Sequence, residues 1–192
     1  MAIVERVKSG LESVAAPERR LNQPVLGEAL CMLLERADRK LPMLDALLMV
    51  SVADHLHLAS SGTPISGDDY FAFAFGLLPV NLFLQLFEAG RSRRLWGDRI
   101  VVSDDFGLAL SGGGDCRSLS KAQRAALNAA FDMVFHGGIE ATLEAVSRTC
   151  PEWLANQGKL VTLSDALVAF GASRSDADEW AAEVRSGYRQ AS

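Results

Sequence analysis

Ala53-Asp54-His55-Leu56-His57-Leu58-Ala59-Ser60-Ser61-Gly62-Thr63-Pro64-Ile65-Ser66-Gly67-Asp68-Asp69-Tyr70 is the stretch that decides how this chain folds. It starts as the polar end of a very apolar helix and then breaks into Gly, Pro, Gly, two Asp and Tyr. Punctuation this dense fixes one backbone path. The stretch holds no nucleophile–base pair, no cluster of ligating side chains and no phosphate loop. A chain that puts its specificity into a shaped turn reads as a binder and not as an enzyme.

Upstream, Pro42 opens a helix at a position where its missing N–H costs nothing. From Met43 to Leu58 that helix is apolar nearly all round, which places it at the centre of the core, and Gly62 closes it. Before it, Leu26, Leu30, Leu33, Leu34 and Ala37 recur at helical spacing and predict a helix over 27–38. Ile3, Val7, Leu11 and Val14 predict a short amphipathic helix ending before Pro17, with residues 17–26 as a connector.

Downstream, Tyr70 to Phe75 alternates aromatic with Ala and reads as a short extended piece ended by Gly76. Pro79 starts a helix faced by Leu82, Phe83, Leu86 and Phe87 and ending at Gly90, followed by a basic loop, Arg91-Ser92-Arg93-Arg94. Arg99–Val102 and Phe106–Leu110 flank Ser103-Asp104-Asp105 and predict a β-hairpin. Ser111 to Asp115 forms its flexible exit.

The last third is helical. Ser120 with Gln123 and Thr162 with Asp165 form capping boxes, and Ser175 with Asp178 is assigned to cap the final helix. Ala177, Trp180, Ala181, Val184 and Tyr188 line one face of that helix. Gly137 and Gly138 separate the helix carrying Leu127, Phe131, Val134 and Phe135 from one carrying Ile139, Leu143 and Val146. The expected fold is mainly α, a compact helical domain with one small β-hairpin. Residues 1–26 are an N-terminal extension and connector, 27–171 the main domain, and 172–192 a C-terminal helix packed on it.

Composition narrows the function. The chain has 192 residues, 49% hydrophobic and 22% charged, enough to bury roughly 70% of its extended surface in one core. A net charge of −5 argues against protein-wide attraction to nucleic acid or anionic membranes. Three widely spaced cysteines, with no apolar leader at the N-terminus, predict free thiols in the cytoplasm. The apolar run around Leu41–Val50 contains Asp45 and is too short to span a bilayer.

The candidate chemistry is sparse. His55 and His57 lie two positions apart on a helix and face opposite ways, unlike a metal-binding pair at i, i+4. His136 beside the Gly-Gly break reads as capping a helix C-terminus. Asp54 is assigned to accept backbone N–H bonds from the Gly62–Asp68 turn, pinning that loop to the helix; a catalytic carboxylate is the alternative. Ser111-Gly112-Gly113-Gly114 lacks the Lys-Ser/Thr of a phosphate loop, and no Gly-x-Ser-x-Gly is present. No metal site, cofactor or catalytic residue is predicted. Arg91, Arg93 and Arg94 read as a solvated loop, with a DNA-phosphate patch or a contact for an acidic protein as alternatives.

The central turn resembles the signature of the Panacea domain family, which includes SocA-like antitoxins and phage GepA-like proteins. The matching residues are Ala53-Asp54, Leu58, Gly62-x-Pro64-Ile65-Ser66-Gly67-Asp68-x-Tyr70-x-Ala72 and Gly76. Leu119-Ser120, Pro151-x-Trp153 and the short helix before Gly171 extend the likeness over roughly 27–171. The family's Gly-Pro-Val is replaced here by Gly76-Leu77-Leu78-Pro79, with the proline two places later. The resemblance implies an antitoxin that neutralises a cognate toxin protein by direct complex formation and, in its SocA-like form, hands the toxin to the ClpXP protease as an adaptor. It implies that Asp54, Gly62, Pro64, Ile65, Gly67, Asp68, Tyr70 and Gly76 form the scaffold of the partner site. A DNA-binding autorepressor acting on its own promoter through Arg91, Arg93 and Arg94 is the alternative function.

Overall fold

The computed structural model describes residues 21–92, 95–96, 98–112, 118–136 and 138–190. The predicted N-terminal helix, Arg93, Arg94, the glycine run from 113 onward and Gly137 lie outside these residues.

Helix α1 (Gln23–Ala37) starts four residues earlier than the periodicity suggests, because Pro24 sits in its first turn, where a proline is tolerated. Strand β1 (Leu41–Pro42) leads into α2 (Met43–Ser61). Helix α2 is the axis of the molecule: Met43, Ala46, Leu47, Met49, Val50, Val52 and Ala53 are all buried. It is long and apolar enough to cross a membrane, yet most of it is enclosed by the rest of the chain, as for a core helix. Gly62 caps it in the left-handed conformation, its N–H donating to the Leu58 carbonyl at 2.9 Å.

The chain then forms β2 (Tyr70–Phe73), β3 (Gly76–Pro79) and α3 (Val80–Ser92). Strands β4 (Ile100–Val102) and β5 (Gly107–Leu110) follow, then α4 (Lys121–Phe135) and α5 (Gly138–Thr149). A single 3-10 turn (Leu154–Asn156), β6 (Leu160–Val161), α6 (Leu163–Ala169) and α7 (Arg174–Gln190) complete the fold.

The protein is therefore mainly α, as expected, but with more β structure than one hairpin. Among the described residues, six strands form two antiparallel sheets, in the orders β1-β5-β4 and β3-β2-β6. The predicted hairpin is β4–β5. The second is β2–β3, paired from Tyr70 with Pro79 to Phe73 with Gly76. Gly76 thus opens a strand where an interruption was expected. Its φ of +142° and the Leu48 side chain, 2.6 Å from where a Cβ would stand, explain the residue: only glycine lets this hairpin lie against α2. Pro79 ends β3 on the sheet edge, where its missing N–H breaks no ladder.

Helix α3 continues through Ser92, two residues past Gly90, so Arg91 belongs to a helix and not to a loop. The boxes at Ser120–Gln123 and Thr162–Asp165 form as expected. The final helix is capped one pair earlier than assigned. Ser173 Oγ accepts from the Asp176 N–H at 3.2 Å and donates to the Asp176 carboxylate at 2.7 Å. Starting there turns Ala177 and Ala181 inward, 1% and 2% exposed.

One large core joins α1 to α4 with both sheets. A second, smaller cluster of Leu58, Leu163, Ala166 and Ala181 holds the α6–α7 pair against the end of α2. On the opposite side Arg36 of α1 donates to the Asn128 carbonyl at 2.7 Å and covers the Phe131 ring at 4.4 Å, tying α1 to α4. His136 stands at the C-cap of α4, its ring edge-on to Phe131 and Phe135.

Candidate functional site

Asp54 lies in the penultimate turn of α2 and is 1% exposed. Its Oδ1 accepts from the backbone N–H of Ile65 at 2.6 Å and of Ser66 at 2.8 Å. Its Oδ2 accepts from the Ser66 hydroxyl and, at 2.7 Å, from the Tyr70 phenol. Four donors from the six-residue arc Ile65 to Tyr70 therefore converge on one carboxylate. Burial first, and then the Asp54 charge, push the Tyr70 pKa well above its usual value, so the phenol keeps the hydrogen it donates. Gly62 and Gly67 both take the left-handed conformation that bends the chain back over the helix end, and Pro64 and Ile65 are buried beneath it.

The two acidic residues that follow brace distant elements. Asp68 Oδ1 accepts from the Asn81 N–H at 3.1 Å and from Asn81 Nδ2 at 2.9 Å, while Oδ2 accepts from the Leu82 N–H at 2.9 Å. It thereby caps α3 from outside that helix's own sequence. Burial raises the Asp68 pKa to about 7, although the bonds from Leu82 and Asn81 oppose that shift. Asp69 accepts from the Leu163 N–H at 3.1 Å, at the start of α6. Gly67 to Tyr70 is thus a junction at which α2, α3, α6 and the β3-β2-β6 sheet meet. Asn22 joins it as well, its N–H donating to the Ser66 carbonyl at 3.3 Å.

On the neighbouring face of α2, a polar cluster lies beyond the reach of local sequence patterns. His55 Nε2 is 2.5 Å from Glu152 Oε1, and Nδ1 is 2.7 Å from the Ser51 carbonyl. Both side chains are at most 3% exposed. A carbonyl only accepts, so Nδ1 carries a hydrogen and the pair shares a further proton across Nε2 and Oε1. Burial works against charge on His55, but Cys150 and Glu152 more than offset it and its pKa stands well above the usual imidazole range. The Tyr70 ring lies 5.0 Å from His55, and Phe170 packs at 6.4 Å on the outer side. Among the described residues, Glu152 Oε2 and Asn81 Oδ1 are buried without a hydrogen-bond partner. His57 turns elsewhere, with Nδ1 at 2.5 Å from the Thr63 carbonyl, so the two histidines share no site.

The structure therefore brings Asp54, Gly62, Pro64, Ile65, Gly67, Asp68 and Tyr70 into one assembly, with Gly76 at the far end of the same hairpin. Arg91 lies on α3, and Arg93 and Arg94 fall outside the described residues. Among the described residues no group of three or more His, Cys, Asp or Glu side chains is placed to hold a metal ion. Glu152 and the capping roles of Asp68 and Asp69 escaped the sequence reading; the one available signal was the acidic pair placed directly after a left-handed glycine. No family model matches the chain, and no curated protein or solved structure matches it.

Proposed function

We propose that this chain is a cytoplasmic antitoxin of the Panacea type, which binds a cognate toxin protein and neutralises it in a direct complex. Handover of the bound toxin to the ClpXP protease is the adaptor form of the same activity. The observation that carries the reading is the saturation of Asp54: both oxygens are occupied by donors of the signature turn. The residues that resemble the family motif thus act on the chain's own backbone. A buried carboxylate with four donors has no lone pair to offer a substrate, which favours a scaffold that presents a surface over a hydrolytic centre.

The test is co-expression with the product of the neighbouring gene. Co-purification of the two proteins, with rescued growth, is the expected result. Absence of both a complex and rescue overturns the proposal. Toxin half-life with and without this chain then separates the two forms of the activity: shortening indicates delivery to a protease, and lengthening indicates sequestration.

A further inference from the structure

Between the start of α1 and the approach to β4 lies an open cleft of about 500 Å³, lined by Pro24, Gly27, Glu28, Trp96 and Arg99, a size common among binding clefts. Trp96 stands at a φ of +50°, a conformation that is costly for a bulky side chain. Two contacts hold it there. Its Nε1 donates to the Gln23 carbonyl at 2.9 Å, and its ring lies on Gly27, where a Cβ would come 2.5 Å from Cδ1. The indole is locked in orientation yet only half-buried, so one aromatic wall of the cleft is set in advance.

Arg99 beside it is half-buried, and its guanidinium makes no hydrogen bond or ion pair among the described residues. Arg36, Lys40, Arg148 and Arg174, by contrast, each have a carboxylate partner. The acid in the cleft, Glu28, is engaged by the fold: its Oε2 accepts from the Ser118 N–H at 2.7 Å and from the Leu119 N–H at 3.2 Å. What the cleft offers a visitor is a fixed aromatic face and an uncommitted planar cation. That pair suits a carboxylate neighbouring an apolar or aromatic group. On a chain of net charge −5, an acidic segment is repelled from most of the surface and accepted where a cation is free.

We infer that this cleft is a docking site for the partner, taking an extended segment of the toxin that presents an Asp or Glu to Arg99 and an apolar or aromatic side chain to Trp96. The inference rests on the antitoxin reading above. Its test is isothermal titration of the purified neighbouring-gene product into the full chain and its variants. Arg99→Glu is expected to weaken binding at least tenfold, and Arg99→Gln less, each with an unchanged far-UV spectrum.

Gly27→Ala adds a methyl group that evicts the indole while favouring the helix, and is expected to weaken binding severalfold. Lys159→Glu, an exposed charge reversal near β6, should leave it unchanged. If the wild type binds and Arg99→Glu, Arg99→Gln and Gly27→Ala all bind within twofold of it, the cleft assignment is overturned and the antitoxin reading stands. If the wild type does not bind, both fall.

Discussion

Replacing Asp54 by Ala removes the acceptor for the Ile65 and Ser66 N–H groups, the Ser66 hydroxyl and the Tyr70 phenol. The two hydroxyls can rotate toward other acceptors, but the two backbone donors are held by the turn. Leaving a buried donor unsatisfied costs about 1–3 kcal/mol, so these two alone put the loss at about 2–6 kcal/mol. Relief of the desolvation of Asp54 itself and water entering the vacated space pull the total toward about 3–4 kcal/mol. For a chain of this length that corresponds to a fall in Tm of about 6–16 °C. Asp54→Asn should cost much less, about 1–2 kcal/mol. Its Oδ1 still accepts from both N–H groups, and its Nδ2 can donate to the Ser66 and Tyr70 hydroxyls. Urea unfolding followed by far-UV circular dichroism measures both variants, and Tyr70→Phe completes a double-mutant cycle with Asp54→Ala. The reasoning is refuted if Asp54→Ala lies within about 1 kcal/mol of the wild type, or if Asn is as damaging as Ala.

Three other outcomes are expected. The Asp68 pKa, raised by burial from 3.8 to about 7, makes the native state hold a proton that the unfolded chain gives up. Its contribution to stability is therefore complete below pH 3.8 and is lost as the pH rises to about 7. The stability difference between wild type and Asp68→Asn should shift against the wild type across that interval, and a pH-independent difference in urea titrations would refute the assignment. Breaking the buried His55–Glu152 pair from one side, by His55→Leu or Glu152→Leu, should cost about 3–5 kcal/mol, and the double substitution less than the sum; additivity in denaturation experiments would count against a direct pair. Ser173→Ala should destabilise by about 1 kcal/mol as the loss of a true N-cap, whereas Ser175→Ala should stay within about 0.5 kcal/mol; calorimetric Tm values that reverse this order would move the cap back to Ser175.

Much of this fold was legible where the signal is local. The capping boxes at Ser120 and Thr162 each span four residues, and the donor and acceptor that define a cap lie within that reach. The placement of α2 at the centre followed from a side-chain pattern apolar on every face, which leaves no solvent side to a helix. The seat of Asp54 was readable because its donors lie only 11 and 12 positions away in a turn already marked by Gly62 and Gly67. The pattern Ser-x-x-Asp, however, occurs in two overlapping registers at Ser173 and Ser175. Local chemistry is satisfied by either, and only burial of Ala177 and Ala181 selects between them.

What the sequence by itself determined is the set of features whose partners sit within a few residues: helix periods, caps and the shape of the turn from Gly62 to Tyr70. Only the tertiary structure decided the rest. It made Gly76 the start of a strand because Leu48 occupies the space a side chain would need. It turned Asp68 and Asp69 into caps that accept from helix N–H groups 13 and 94 positions away, and it set His55 against Glu152 across 97 positions. It also laid Trp96 on Gly27. The reason is the same in each case: hydrogen bonds, ion pairs and close packing act over a few ångströms in space, and that distance has no counterpart in the chain until the core has brought its segments together.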